Sequence, residues 1–311
     1  MKRFSILILT LCLCLTGCGK QTTEATAQIF AMDTVMEVAA YGEHAEQAVK
    51  YTEKRIEELE NRLSRTKADS LVSGLNRDGS IRHLTYDYWN LIARAKEYRD
   101  ATNGAFDITI APVMDAWGFT GDSFRVPEQS ELDTLLKKVN SDAIQMLGSP
   151  SDSVTLGEGQ AIDLGGIAKG YTSDWVEQTF RANGIESGKI SLGGNVFVLG
   201  GKPDGSDWRV GIKDPRNESG LAAILSLRDA YAITSGGYER YFEENGKTYH
   251  HIIDPSTGYP ADSGLLSVTV VAADNGPDWA GAGNGAMCDA FSTALFVMGE
   301  EQALDFWRNG G

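Results

Sequence analysis

Residues 189–234, KISLGGNVFVLGGKPDGSDWRVGIKDPRNESGLAAILSLRDAYAIT, decide the fold class. Five short runs, Lys189–Leu192, Val196–Leu199, Trp208–Ile212, Ala222–Leu227 and Tyr231–Thr234, carry strand-forming residues between turn-forming Gly, Pro, Asn and Asp. Further strand signals lie on both sides, at 143–147, 153–156, 248–253 and 265–272, and residues 28–41 read as a strand pair or one long strand. Helical spacing covers 44–63, with Ala48, Tyr51, Ile56, Leu59 and Leu63 on one face, then 86–102, 128–139, 174–182 and 289–306. Asp87 stands as a cap and Gly104 as a stop for the second of these helices. Helices early and antiparallel strands later make an α+β architecture, with no internal repeat.

The chain has 311 residues, 42% of them hydrophobic, with 35 glycines and a formal net charge of −15. That is enough core-forming sequence for one large globular domain. The negative field argues against nucleic acid and against electrostatic binding to an anionic membrane. An anionic ligand needs local cations or a metal to overcome it.

The first residues form an export signal. Lys2 and Arg3 precede an apolar run, Phe4–Leu15, too short to span a bilayer. It ends in Leu15-Thr16-Gly17-Cys18, which resembles a bacterial lipoprotein signal with Cys18 as the lipidated N-terminus; an unmodified signal peptide with an incidental cysteine is the alternative. The expected organisation is a signal peptide over 1–17, a polar tether over 18–27 and a single body over 28–311. Cleavage leaves Cys18 and Cys288 as the only cysteines, so no disulfide is expected. The chain stops at Asn309-Gly310-Gly311, directly after the last helix, where a closing strand is expected; this end reads as truncated.

Four segments carry chemistry. In AIDLGGIAKGYTSD (161–174), Asp163 ends an apolar run, Gly165 and Gly166 admit close approach of the backbone, and Lys169 stands at a helix start. This suits an anionic, phosphate-bearing ligand or an ordinary strand-turn-helix corner, and it matches neither GxxxxGK[ST] nor GxGxxG. Asp289 and Thr293, in CDAFSTALFVMG, share one helix face. They read as a capping acid with a core threonine, or as a hard oxygen pair suited to Mg²⁺. In HHIIDPSTGYP (250–260) the two histidines point to opposite strand faces, so only one can face a given site, and it reads either as a general base or as a ring bonded to a turn carbonyl. In FDITIAPVMDAWGF (106–119), Trp117 and Phe119 flank Gly118 and read either as core or as a stacking surface for a flat heterocycle. SLGGNVFVLGG (191–201) and ITSGGYERYF (233–242) place small residues and hydroxyls where strands turn.

The order MDT, FDITIAPV with WGF, IDLGGIAKGY, LGGNV, TSGGYERYF, HHIIDPSTGYP and DAFSTALFVMG resembles the ApbE family of flavin transferases over residues 28–308. The resemblance implies an extracytoplasmic lipoprotein, anchored at the bacterial inner membrane, with a T-fold-like α+β body. It implies cleavage of FAD at its pyrophosphate and attachment of FMN to a threonine hydroxyl of an acceptor protein, such as a membrane redox-complex subunit, with Mg²⁺. It assigns Met32, Thr66, Ala116, Trp117, Gly118, Asp163, Lys169 and Ile253 to FAD. It assigns the Gly166 carbonyl, Asp289 and Thr293 to the metal, and His251 to the base. Thr66 stands where the family commonly has a ring, and the glycine-rich stretch 274–286 is longer than usual for it. Two other functions fit the same residues: a flavin- or solute-binding lipoprotein, and an FAD pyrophosphatase giving FMN and AMP.

Overall fold

The computed structural model describes residues 23–121, 123–148, 152–274 and 283–309. Cys18 and the signal segment lie outside them, as does most of the glycine-rich stretch before the last helix. In chain order the elements are β1 (Glu24–Ala31), β2 (Thr34–Tyr41), α1 (Ala45–Leu63), α2 (Leu71–Asp78), β3 (Ser80–Ile81), α3 (Tyr86–Ala101) and α4 (Ala111–Trp117). There follow α5 (Gln129–Leu135), β4 (Gln145–Leu147), β5 (Ser153–Thr155), α6 (Ala168–Ala182), β6 (Ser187–Leu192), β7 (Asn195–Leu199), β8 (Trp208–Asp214) and β9 (Asn217–Leu227). The last are β10 (Ala230–Gly236), β11 (Tyr241–Glu244), β12 (Lys247–His250), β13 (Ser267–Ala273) and α7 (Asn284–Arg308).

Six strands form one antiparallel sheet in the order β1-β2-β6-β7-β10-β13. Its alternation is visible in the sequence: Met36, Val38 and Ala40, Ile190 and Leu192, Phe197 and Leu199, and Tyr231 and Ile233 all point to one buried face. Helices α1, α6 and α7 cover that face through Val49, Ile56, Val176, Phe180 and Cys288. On the opposite face Val198 and Ala232 pack under Trp208 and Val210 of the β8–β9 hairpin. A second core lies beyond α6 and α7, where α2, α3 and the small β3-β5-β4 sheet bury Val72, Leu75, Leu91, Ile92 and Val154 against Tyr171, Ala290 and Ala294. The α6–α7 pair is therefore sandwiched between two cores, and its N-terminal ends are where the site forms.

Several boundaries differ from the sequence reading for identifiable reasons. Residues 24–27, expected in the tether, are the first half of β1, because Glu24–Ala27 pair with Val38–Tyr41 across a hairpin. Its two-residue turn, Met32-Asp33, has both residues at positive φ (50° and 59°), the twist that tight hairpins require. The buried stripe of α1 runs through Ala45, Ala48, Val49, Thr52, Ile56, Leu59 and Leu63, which leaves Tyr51 half exposed. Each fully buried Ile or Leu of that stripe contributes about 1.5–3 kcal/mol. The N-cap position of α3 is Thr85 rather than Asp87, and its side chain makes no capping hydrogen bond. The expected strand 248–253 ends at His250, since the turn at Asp254-Pro255 pulls the chain out of the ladder and leaves Ile253 a single bridge to Pro260. No described helix is long and apolar enough to cross a membrane.

Candidate active site

The turn 163–166 is held from both ends. The Asp163 amide donates to the Ile108 carbonyl at 2.7 Å, and its carboxylate takes the Gly165 amide at 2.6 Å and Arg65 Nη1 at 3.1 Å. Gly166 lies so close to α7 that a Cβ there would sit 3.6 Å from Thr293 Oγ1 and 3.1 Å from the Phe106 ring. The next turn of chain begins α6, which meets α7 at a pair of glycines. A Cβ on Gly170 would lie 2.1 Å from the Gly285 carbonyl oxygen, and one on Gly285 would lie 2.4 Å from that of Gly170, so the crossing admits no side chain at either position. This approach lets the Gly170 amide donate to Asp289 Oδ2 at 2.8 Å.

α7 has no side-chain cap of its own. Asp174, one turn into α6, supplies it across the interface by accepting from the Gly285 and Ala286 amides at 2.8 and 3.0 Å. Asp174 is fully buried, and desolvation outweighs these bonds enough to push its carboxyl up to about 7. Asp289 therefore does not cap its own helix, one of the two readings open from sequence; its carboxylate faces the N-terminus of α6.

Asp289 is buried, and desolvation raises its pKa against the opposing pull of the Lys169 charge and the Gly170 amide. Among the described residues no cation approaches it within ion-pair distance. Thr293 Oγ1 shares a hydroxyl cluster with Ser235 Oγ at 3.2 Å, and Ser235 in turn meets Ser292 Oγ at 2.7 Å. Asn195, fully buried at the start of β7, lies beside Asp289 and eases the cost of its charge, while neither amide atom has a partner in hydrogen-bond geometry. A buried carboxylate outside any ion pair, a hydroxyl and the adjoining Gly166 backbone form an oxygen-only donor set, which fits a small hard cation. No group of three or more His, Cys, Asp or Glu side chains placed to hold a metal ion occurs among the described residues.

The two histidines take different partners. His250 is satisfied at both nitrogens: Nε2 faces the Ala261 carbonyl at 3.1 Å, Nδ1 accepts from the Ile252 amide at 3.3 Å, and the ring stands edge-on to Phe296. His251 Nδ1 lies 3.1 Å from the Arg240 carbonyl. A carbonyl only accepts, so this bond assigns the proton to Nδ1 and leaves the Nε2 lone pair free in the neutral ring. Burial first, then the nearby positive charges of Lys169 and Arg240, push the His251 pKa down to about 4. Lys169 thus acts on both Asp289 and His251, which puts the three groups in one electrostatic environment.

The His251 shift has a sign that can be checked. The unfolded chain binds a proton at the ordinary histidine pKa and the folded chain only near 4, so this residue's contribution is present above about pH 6.5 and lost as pH falls towards 4. His251→Gln removes that titration. Wild type should therefore lose stability relative to His251→Gln between about pH 6.5 and 4, as followed by urea denaturation at each pH. A constant difference across that range would contradict the assigned burial.

The remaining sequence-predicted flavin contacts are distributed as follows. Met32 donates its amide to Glu60 Oε1 at 3.0 Å and places its sulfur 3.8 Å from Thr172 Oγ1 on α6. Thr66 is exposed next to Arg65, its hydroxyl 3.1 Å from Ser64 Oγ. Of the two readings of Trp117, core packing, which the spacing favours, is the one the structure takes. Its ring is 0% exposed, its indole donates to the Gly258 carbonyl at 2.7 Å, and Phe119, Phe242, Tyr249 and Tyr259 surround it, so it has no face free for a heterocycle. Ala116 is buried beside it, and Gly118 is fixed by φ 82° with Ser123 backbone where a Cβ would go. Ile253 is buried in the same aromatic cluster, which docks the 254–258 turn onto α4.

The structure thus brings Gly166, Thr293, Asp289, Lys169 and His251 together, links Asp163 to the end of α4, and turns Trp117 into scaffold. It also adds residues that the sequence did not single out: Arg65, Gly170, Asp174, Asn195, Ser235 and Gly285. Of these, Gly170 and Asp174 lie inside the segment 161–174 and carried a readable signal as a glycine and an acid at helical spacing.

A family model described as the ApbE family matches residues 32–311. The chain belongs to the ApbE family. Similar proteins include the FAD:protein FMN transferase of Treponema pallidum, 31% identical over 81% of this chain and 72% of that protein, and one from Klebsiella pneumoniae, 34% identical over 79% and 74%. Among solved structures, the ApbE protein of Thermotoga maritima superposes with a TM-score of 0.83 at 31% identity, covering 93% of this chain and 92% of the other. The apo flavinyl transferase ApbE of Pseudomonas stutzeri gives 0.79 at 28% identity over 93% and 89%. The α+β fold expected from the sequence is that of these ApbE structures.

Proposed function

We propose that this ApbE-family chain is an FAD:protein FMN transferase that moves FMN from FAD to a threonine hydroxyl of an acceptor protein and releases AMP. The observation that carries the reading is the juxtaposition of a buried carboxylate outside any ion pair, Asp289, with Lys169 and a neutral histidine whose Nε2 is free. Transfer from FAD needs negative charge neutralised on two phosphoryl groups and one hydroxyl proton removed.

The threonine oxygen forms a bond to the FMN phosphorus as the bond from that phosphorus to the bridging oxygen breaks, and AMP leaves with the bridging oxygen. His251 Nε2 accepts the hydroxyl proton, its ring held by the Nδ1–H bond to Arg240. Lys169 sets its charge against the pyrophosphate. The arriving anion offsets the positive field that depresses His251, so the base strengthens when FAD is bound. Asp289, Thr293 and the Gly166 carbonyl hold Mg²⁺, which when bound neutralises pyrophosphate charge. Asp163 and the 116–118 backbone orient FAD. Incubating the protein with FAD, Mg²⁺ and an acceptor should give a flavin-fluorescent acceptor band in a denaturing gel, absent when the target threonine is alanine. Free FMN with an unlabelled acceptor would mean hydrolysis instead.

The chain is also an extracytoplasmic lipoprotein anchored at the inner membrane through Cys18, a reading supported by the Lys2-Arg3 start, the short apolar run and the Leu15–Cys18 tetrad. Cys18→Ser should move the protein from the membrane to the soluble fraction and abolish palmitate labelling; unchanged membrane retention would rule the anchor out.

A further inference from the structure

One cation beside the site has no part in the chemistry proposed above. Arg65 follows α1, and its side chain is only 13% exposed. Its Nη2 donates to Asp115 Oδ2 at 2.7 Å and its Nη1 to Asp163 Oδ2 at 3.1 Å. Each carboxylate is held on its other oxygen as well: Thr120 Oγ1 donates to Asp115 Oδ1 at 2.5 Å, and the Gly165 amide to Asp163 Oδ1 at 2.6 Å. The Arg65 carbonyl accepts from Ser73 Oγ at 2.8 Å, which ties the same residue to α2.

One guanidinium therefore joins three segments far apart in sequence: the loop after α1, the last turn of α4 and the turn at 163–166. A planar fork with donors on two sides suits two acceptors at once, which the point charge of a lysine does not. With a carboxylate on each side its charge is already compensated, so Arg65 is poorly placed to bind phosphate itself.

We propose that Arg65 is a positioning residue: the Asp115–Arg65–Asp163 bridge locks the 163–166 turn against the 116–118 stretch and so presents both to FAD in one fixed geometry. The role rests on the flavin reading of those two segments. It predicts loss of ground-state binding rather than loss of the chemical step, because Arg65 and Asp115 have no assigned part in proton removal or in neutralising the pyrophosphate.

The test measures kcat, KM for FAD and melting temperature on Arg65→Gln, Arg65→Lys, Asp115→Asn and the Arg65→Gln/Asp115→Asn pair. Arg65→Gln should raise KM about tenfold, the usual worth of a charged hydrogen bond, with kcat within about twofold of wild type. Arg65→Lys should recover part of that loss, since it keeps the charge but meets one carboxylate at a time. Asp115→Asn should raise KM in the same direction, and the double variant should be no worse than Arg65→Gln, because both cut one bridge. A lowered melting temperature with unchanged KM would reduce Arg65 to a structural staple and overturn the role. Tighter FAD binding in Asp115→Asn would also overturn it, by showing that a released guanidinium binds phosphate directly. A wild type that binds no FAD would remove the flavin reading and this role with it, whereas equal FAD binding by wild type and Arg65→Gln would remove the role alone.

Discussion

Asp289→Asn is expected to lower Mg²⁺-dependent transfer by about a thousandfold while leaving the melting temperature unchanged or raised. The expected direction on stability follows from the burial of this carboxylate, which carries its charge with no ion pair in reach among the described residues and has its pKa raised by desolvation. Removing a buried charge that no ion pair offsets relieves that cost. The expected loss of rate follows from the same fact, since Asp289 supplies the only full negative charge of the oxygen-only donor set, and cation stabilisation of a developing phosphoryl charge is worth several kcal/mol. Stability and activity should therefore move in opposite directions. Transfer at the wild-type rate in Asp289→Asn would remove the metal assignment; joint loss of folding and activity would make Asp289 a structural residue.

The second large effect is expected at His251. His251→Ala should lower kcat by about 10²- to 10⁴-fold with little change in FAD affinity, the range associated with a positioned general base. Its neighbour is the internal control. His250 spends both ring nitrogens on backbone partners and its edge on Phe296, so His250→Ala should cost stability but leave the rate of the folded enzyme within about twofold. Kinetics at a temperature well below both melting transitions separate the two outcomes. If His250→Ala proves slower than His251→Ala per folded molecule, the base is misassigned; if neither changes kcat, a carboxylate or the metal must activate the hydroxyl.

The strand alternation in 189–234 and the spacing in 44–63 were sufficient for the α+β class, because the periods of buried strands and of an amphipathic helix survive in the sequence itself. The elements missed were short: α2 spans Leu71–Asp78, β3 only Ser80–Ile81, α4 Ala111–Trp117 with a proline in its first turn, and β11 only Tyr241–Glu244, too few residues to establish a period. The hairpin turn at Met32-Asp33 was ambiguous because neither residue is the glycine that usually marks positive φ. At the site, Gly166, Lys169, Asp289, Thr293 and the His250–His251 pair were legible as local motifs. So was Trp117 as a core ring, the reading that spacing alone favours over stacking on a heterocycle. Arg65, and the capping role of Asp174, escaped notice for a different reason: the partners, Asp163 and the Gly285–Ala286 amides, lie 98 to 112 residues away, and such pairings are written in the fold alone.

The central claim is transfer, and the most direct measurement counts both products of one reaction. The wild-type protein is incubated with FAD, Mg²⁺ and an acceptor bearing the target threonine, AMP is quantified by chromatography, and covalent flavin on the acceptor is quantified by intact-protein mass spectrometry. One AMP released for each FMN bound to threonine, with both signals lost on chelation of the metal, is the expected result. AMP released alongside free FMN, with the acceptor mass unchanged, would contradict it.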